Sequence, residues 1–133
     1  MSVERLTSFS VFFVKDAQRS LGYYQETLGF AVDWIHEEGG RPFVFRVSLF
    51  GFELILNQVE EGTKDRAGHG RVFIGLDEDQ AEIVLRHIDE KAIKTSAVRW
   101  GAPTLVIHDL DQNELFLWLP EKHKARVERL LGA

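Results

Sequence analysis

Asp16 and Asp77 stand 61 positions apart (77 minus 16), and each closes a β-rich run and opens a helical one. In the first copy, Thr7 to Val14 reads TSFSVFFV, a β-branched and aromatic strand, and Asp16 can cap the helix that follows. Over Ala17 to Leu28 the apolar residues Leu21, Tyr24 and Leu28 recur at three- and four-residue steps, and Gly29 supplies a left-handed stop. Three strands follow, Phe30 to His36, Pro42 to Phe50 and Phe52 to Asn57, separated by Gly39-Gly40 and by Gly51. The second copy repeats that order. Arg71 to Leu76 is a strand, and Glu78 to Lys91 carries Ala81, Val84, Leu85 and Ile88 on one helical face. Ile93 to Arg99, Pro103 to His108 and Glu114 to Leu119 are strands, the last two joined by the turn sequence DLDQN.

A repeated supersecondary unit limits the fold more than any single motif does. The expected class is α+β, with two tandem βαβββ modules forming a curved mixed sheet around a cleft and the helices on the outer face. One helix covers only one face of a four-stranded sheet, so each module leaves its other face free for water, a ligand or a partner. At 133 residues the chain fits one domain. Its expected parts are a first module over 6–58, a polar glycine-bearing linker over 59–70, a second module over 71–120 and a terminal helix over 121–133. Val127, Leu130 and Leu131 give that helix an apolar stripe suited to packing or to a dimer contact.

Composition removes whole classes of chemistry. The absence of Cys excludes disulfides, a cysteine nucleophile, thiolate zinc and iron–sulfur clusters. A net charge of −5 opposes a nucleic-acid partner. With no secretory leader and no apolar run long enough to span a bilayer, the expectation is a cytoplasmic chain with no membrane partner. Ser-His-Asp order, a phosphate-binding loop and HExxH are all missing.

The stretches VKDAQRSLGYYQETLGF (14–30) and WGAPTLVIHDLDQNELFLW (100–118), set in the doubled βαβββ layout, resemble the vicinal oxygen chelate superfamily. That superfamily holds glyoxalases, extradiol dioxygenases, fosfomycin-modifying enzymes and bleomycin-resistance proteins. The resemblance implies metal ligands on the first and last strands of each module. Those slots fall here on Phe9, Gly70 and Phe116, none of which can bind a metal, and on Glu53, which can. His69 lies one place from its slot and reaches it only if the strand is bulged. One carboxylate cannot hold a catalytic divalent ion, so neither metal nor cofactor is expected. His36, His87, His108 and His123 read as structural or solvated.

With Phe9 and Phe116 directed inward, alternation turns Val11, Phe13, Glu53, Ile55, Asn57, Glu114 and Trp118 the same way. Phe12, Val14, Leu54, Leu56, Leu115 and Leu117 then pack beneath the helices. The candidate ligand residues are Phe9, Trp34, Glu53, Trp100, Phe116 and Trp118, with the aromatics stacking and Glu53 pairing with ligand charge. The resemblance to the metal-free resistance branch implies a homodimer that sequesters an aromatic, cationic small molecule without catalysis. A divalent-metal lyase, isomerase or dioxygenase built around Glu53 is the rival reading. A cleft plugged by Phe9 and Phe116, serving protein contact, is the third.

Overall fold

The computed structural model describes residues 6–132. Its first module runs β1 (Ser10–Val14), α1 (Ala17–Gly22), a π-helical turn (Tyr23–Thr27), β2 (Ala31–Glu38), β3 (Arg41–Leu49) and β4 (Phe52–Gln58). After a 3-10 turn at Lys64–Arg66, the second runs β5 (Arg71–Gly75), α2 (Glu78–Glu90), β6 (Ser96–Trp100), β7 (Ala102–His108) and β8 (Glu114–Trp118). A 3-10 turn at Glu121–His123 leads into α3 (Lys124–Leu130). The two sheets have the same order, β1-β4-β3-β2 and β5-β8-β7-β6, with the first pair of each parallel and the rest antiparallel. The doubled βαβββ reading of the sequence is thus the architecture.

Alternation sorts the strand residues as expected. Phe12, Val14, Leu54, Leu56, Leu115 and Leu117 are buried in one core with Ala17, Tyr24, Ala81, Leu85 and Ile88 of the helical segments. Both helices start where the capping aspartates direct. Asp16 accepts from the Arg19 amide at 3.2 Å, and Asp77 and Gln80 exchange side-chain and backbone bonds at 2.8 and 3.0 Å in a capping box. Burial of the apolar face adds to each cap, which alone contributes about 1 kcal/mol.

Several boundaries differ from the sequence expectation, among them the terminal helix, whose regular part is Lys124–Leu130 rather than 121–133. The regular α-helix after Asp16 stops at Gly22 and widens into the π turn, closed by Leu28 N–H to the Tyr23 carbonyl at 3.0 Å. That widening aims two phenols at the second module: Tyr23 donates to the His108 carbonyl at 3.2 Å and Tyr24 to Asp109 at 2.9 Å. β1 begins at Ser10, leaving Phe9 just ahead of it. β6 begins at Ser96, because Ile93 N–H closes the end of α2 on the Ile88 carbonyl at 2.9 Å.

Asn113 joins the modules. Its amide donates to the Phe13 carbonyl at 3.0 Å and to Asp109 at 2.9 Å, and its carbonyl accepts from Gly70 N–H at 2.8 Å. Asn113 and Asp109 are both buried. Burial and the neighbouring Asp109 carboxylate raise the Tyr24 pKa well above its ordinary value, so the phenol stays a donor. A Cβ on Gly70 would run into the Phe12 ring and the Asn113 side chain. The position therefore admits no side chain.

α3 packs its buried Val127 into the common core. Lys122 bonds Glu82 at 2.8 Å and Arg126 bonds Asp89 at 2.6 Å, tying the tail to α2. Arg99 on β6 bonds Glu128 at 3.0 Å. No helix among the described residues is long and apolar enough to cross a membrane.

Candidate functional site

Each sheet has one face under helices and one face free of them, and the register assigns residues to the free face. On the first sheet Val11 pairs with Ile55 and Phe13 with Asn57, while Arg46 lies across from Ile55 and Ser48 from Glu53. A bulge at Asp33 sets Trp34 opposite Arg46. On the second sheet Arg71, Phe73 and Gly75 pair with Glu114, Phe116 and Trp118, flanked by Val106 and His108. Trp100 closes the far edge against Ala102.

Arg46 organises the first face. Its guanidinium bonds Glu53 at 3.1 Å and Asp33 at 3.2 Å and lies 5.3 Å from the centre of the Phe9 ring. Ser48 donates to the other Asp33 oxygen at 2.9 Å. Glu53 is therefore not a free anion, because its charge is already offset by Arg46. Arg66, on the turn before β5, sits 4.0 Å over Phe13.

Aromatic packing organises the second face. Trp100 meets Phe116 nearly edge-on at 5.3 Å and Phe73 at 5.4 Å. Arg71 lies 4.8 Å over Phe116 and bonds Glu114 at 2.8 Å, and Glu114 also meets His108 at 3.2 Å. Lys124 of α3 reaches to 5.1 Å from the centre of the Trp118 ring. Phe116 is only 2% exposed, covered by Trp100 and Arg71. Trp34, Trp100 and Trp118, by contrast, are 40%, 51% and 45% exposed, so all three tryptophans present ring surface to solvent.

The six candidate residues thus fall into two groups, one per sheet. Phe9, Trp34 and Glu53 surround Arg46, and Trp100, Phe116 and Trp118 line β6 and β8. Phe116 supports Trp100 from beneath rather than offering a surface of its own. Sequence reasoning passed over Arg46, Asp33, Arg71, Phe73 and the His108–Glu114 pair. The two-residue turn at Phe50-Gly51 held a usable signal, because pairing Leu49 with Phe52 across it brings Arg46 beside the Glu53 strand. His69 directs Nε2 at the Asp65 carbonyl, 2.7 Å away, and so belongs to its own loop. Among the described residues no three His, Asp or Glu side chains are grouped to hold a metal ion.

The family model described as Glyoxalase/Bleomycin resistance protein/Dioxygenase superfamily matches residues 5–114. A glyoxalase/bleomycin resistance protein from Catenulispora acidiphila DSM 44928 aligns with a TM-score of 0.65 at 19% identity, covering 87% of this chain and 99% of that one. The bleomycin-binding protein from Streptomyces verticillus, solved with copper(II)-bleomycin, aligns with a TM-score of 0.64 at 17% identity, covering 90% and 100%. Lactoylglutathione lyase from Agrobacterium tumefaciens aligns with a TM-score of 0.60 at 13% identity, covering 89% and 96%. At these identities the likeness is one of fold. No curated protein matches the sequence at a significant level.

Proposed function

The chain belongs to the Glyoxalase/Bleomycin resistance protein/Dioxygenase superfamily, and on that premise we propose that it binds and sequesters an aromatic, cationic small molecule without using a metal. The observation that carries this reading is the placement of Trp34, Trp100 and Trp118, each roughly half exposed, on the helix-free faces. Flat rings of this kind stack on aromatic ligands and attract cations through their π-faces. The net charge of −5 raises the local concentration of a cation. Glu53, held by Arg46, contributes to that field rather than acting as a lone counter-ion. Phe9, Gly70 and Phe116 occupy the positions where the resemblance implies metal ligands, and Gly70 has no room for a side chain.

The faces are open in one chain, so two copies pair and enclose the ligand between them. Val11, Phe73 and the three tryptophans, each 40–51% exposed on those faces, supply the apolar surface for such a pairing.

Tryptophan fluorescence titration tests the reading, with a bleomycin-type glycopeptide, other aromatic cations and divalent metals tried separately. Saturable quenching by a cation in the presence of a chelator is the expected result, weakened at least tenfold in a Trp100→Ala variant. Binding that appears only after a divalent metal is added would favour instead a metal-dependent lyase, isomerase or dioxygenase.

A further inference from the structure

The modules are related by the 61-residue repeat, yet they do not meet symmetrically. At one end the five-residue turn Asp109 to Asn113 is locked to the first module by Tyr24 and the Phe13 carbonyl, and Tyr23 holds the neighbouring His108 carbonyl. At the other end the corresponding connection is only Phe50-Gly51, and the repeat maps Tyr23 and Tyr24 onto the smaller Val84 and Leu85. The shorter turn and smaller side chains leave space unfilled. A cavity of about 180 Å³ lies there, bounded by Phe52, Ile74, Leu76, Val84, Ile88 and Leu117. It sits on the helix side of the sheets, away from all three tryptophans.

We propose that this cavity is a second ligand site, which takes a neutral apolar molecule of one or two rings or the corresponding moiety of a larger one. No Asp, Glu, Lys or Arg lines it, so a charged group entering would have no partner. Only two polar side chains line it, and each has a contact with backbone: Gln80 Oε1 accepts from Asp77 N–H at 3.0 Å, and His87 Nε2 meets the Thr27 carbonyl at 2.7 Å. Apolar cavities of about 150 Å³ stay dry and admit benzene, so the volume suits this ligand class. Phe50 and Ile83, 46% and 51% exposed, are the lining side chains most open to solvent and mark the way in. Phe50 lies at φ +51°, a left-handed conformation rare for so bulky a residue.

Benzene and indole are the probes, read by thermal unfolding and by methyl NMR of the intact protein. The expected result is a saturable rise of several degrees in Tm, with shifts confined to the methyl groups of Ile74, Val84, Ile88 and Leu117. Val84→Phe, which fills the cavity, should abolish both responses, and Ile83→Arg at the rim should do so if the filled variant does not fold. Trp100→Ala should leave both intact, so failure here and failure of the tryptophan-face reading are distinguishable. No saturable response in the native protein overturns the proposal, as does a response that survives both cavity variants. So does an Ile83→Arg variant that converts a dimer to a monomer, because the mouth would then be an interface between copies.

Discussion

Gly70 and Asn113 show how much a single position settles. Gly70→Ala places a methyl group against the Phe12 ring, and the overpacking should cost about 1–3 kcal/mol, measured by denaturant titration. Asn113→Ala strands the Gly70 amide and takes one of the two donors from the Phe13 carbonyl; a loss of about 1–3 kcal/mol is expected by the same measurement. Glu53→Gln should change stability by less than about 1 kcal/mol, since its pair with Arg46 is partly exposed, but it should weaken a bound cation by leaving Arg46 less neutralised. The facing of Glu53, Phe116 and Trp118 was legible because strand alternation fixes it, whereas that of Trp34 depends on the bulge at Asp33, and Phe9 lies ahead of β1. Burial of Phe116 was not, since it depends on Trp100 folding back over it from a strand two places away in the sheet. Nor was the neutralisation of Glu53, which needs the register of β3 against β4.

At the level of elements, the capping aspartates and the glycine stops located both helices and all eight strands, because those signals are local. The π turn at Tyr23–Thr27 and the late start of β6 were hidden, because both answer to contacts made far along the chain. The attachment of α3 to α2 is electrostatic at its surface. Lys122 holds the Glu82 carboxyl below its usual range, and Arg126 does the same for Asp89, each through a direct hydrogen bond. A carboxyl whose pKa is depressed by folding contributes stability above its unfolded pKa and loses it as pH falls through the folded one. Hydrogen-exchange protection in α3, taken relative to the intrinsic exchange rate at each pH, should therefore fall as pH drops below about 4, and earlier in high salt, while α2 stays protected. Equal loss of protection in both helices would show that the two ion pairs do not set α3's attachment.

For the whole molecule, the repeat in the sequence was enough to give the architecture, and the family slots were enough to place the candidate faces. What the repeat could not convey is the difference between its copies. Sedimentation should give about twice the 15.3 kDa chain mass if the helix-free faces pair, and paired Trp100→Asp and Phe73→Asp changes should return the monomer. A monomer in the native protein would leave the aromatic faces open to water and require the ligand to be held by one chain alone.

The unequal turns also set the two ends of the module boundary apart. One end of the module boundary is tied by three hydrogen bonds through Tyr23, Tyr24 and Asn113, while the end near Phe50 is joined by apolar contact around a void. Directional bonds fix the register of the two modules at the Asn113 end, whereas the Phe50 end, held by apolar contact alone, imposes no such direction on the core that the modules share.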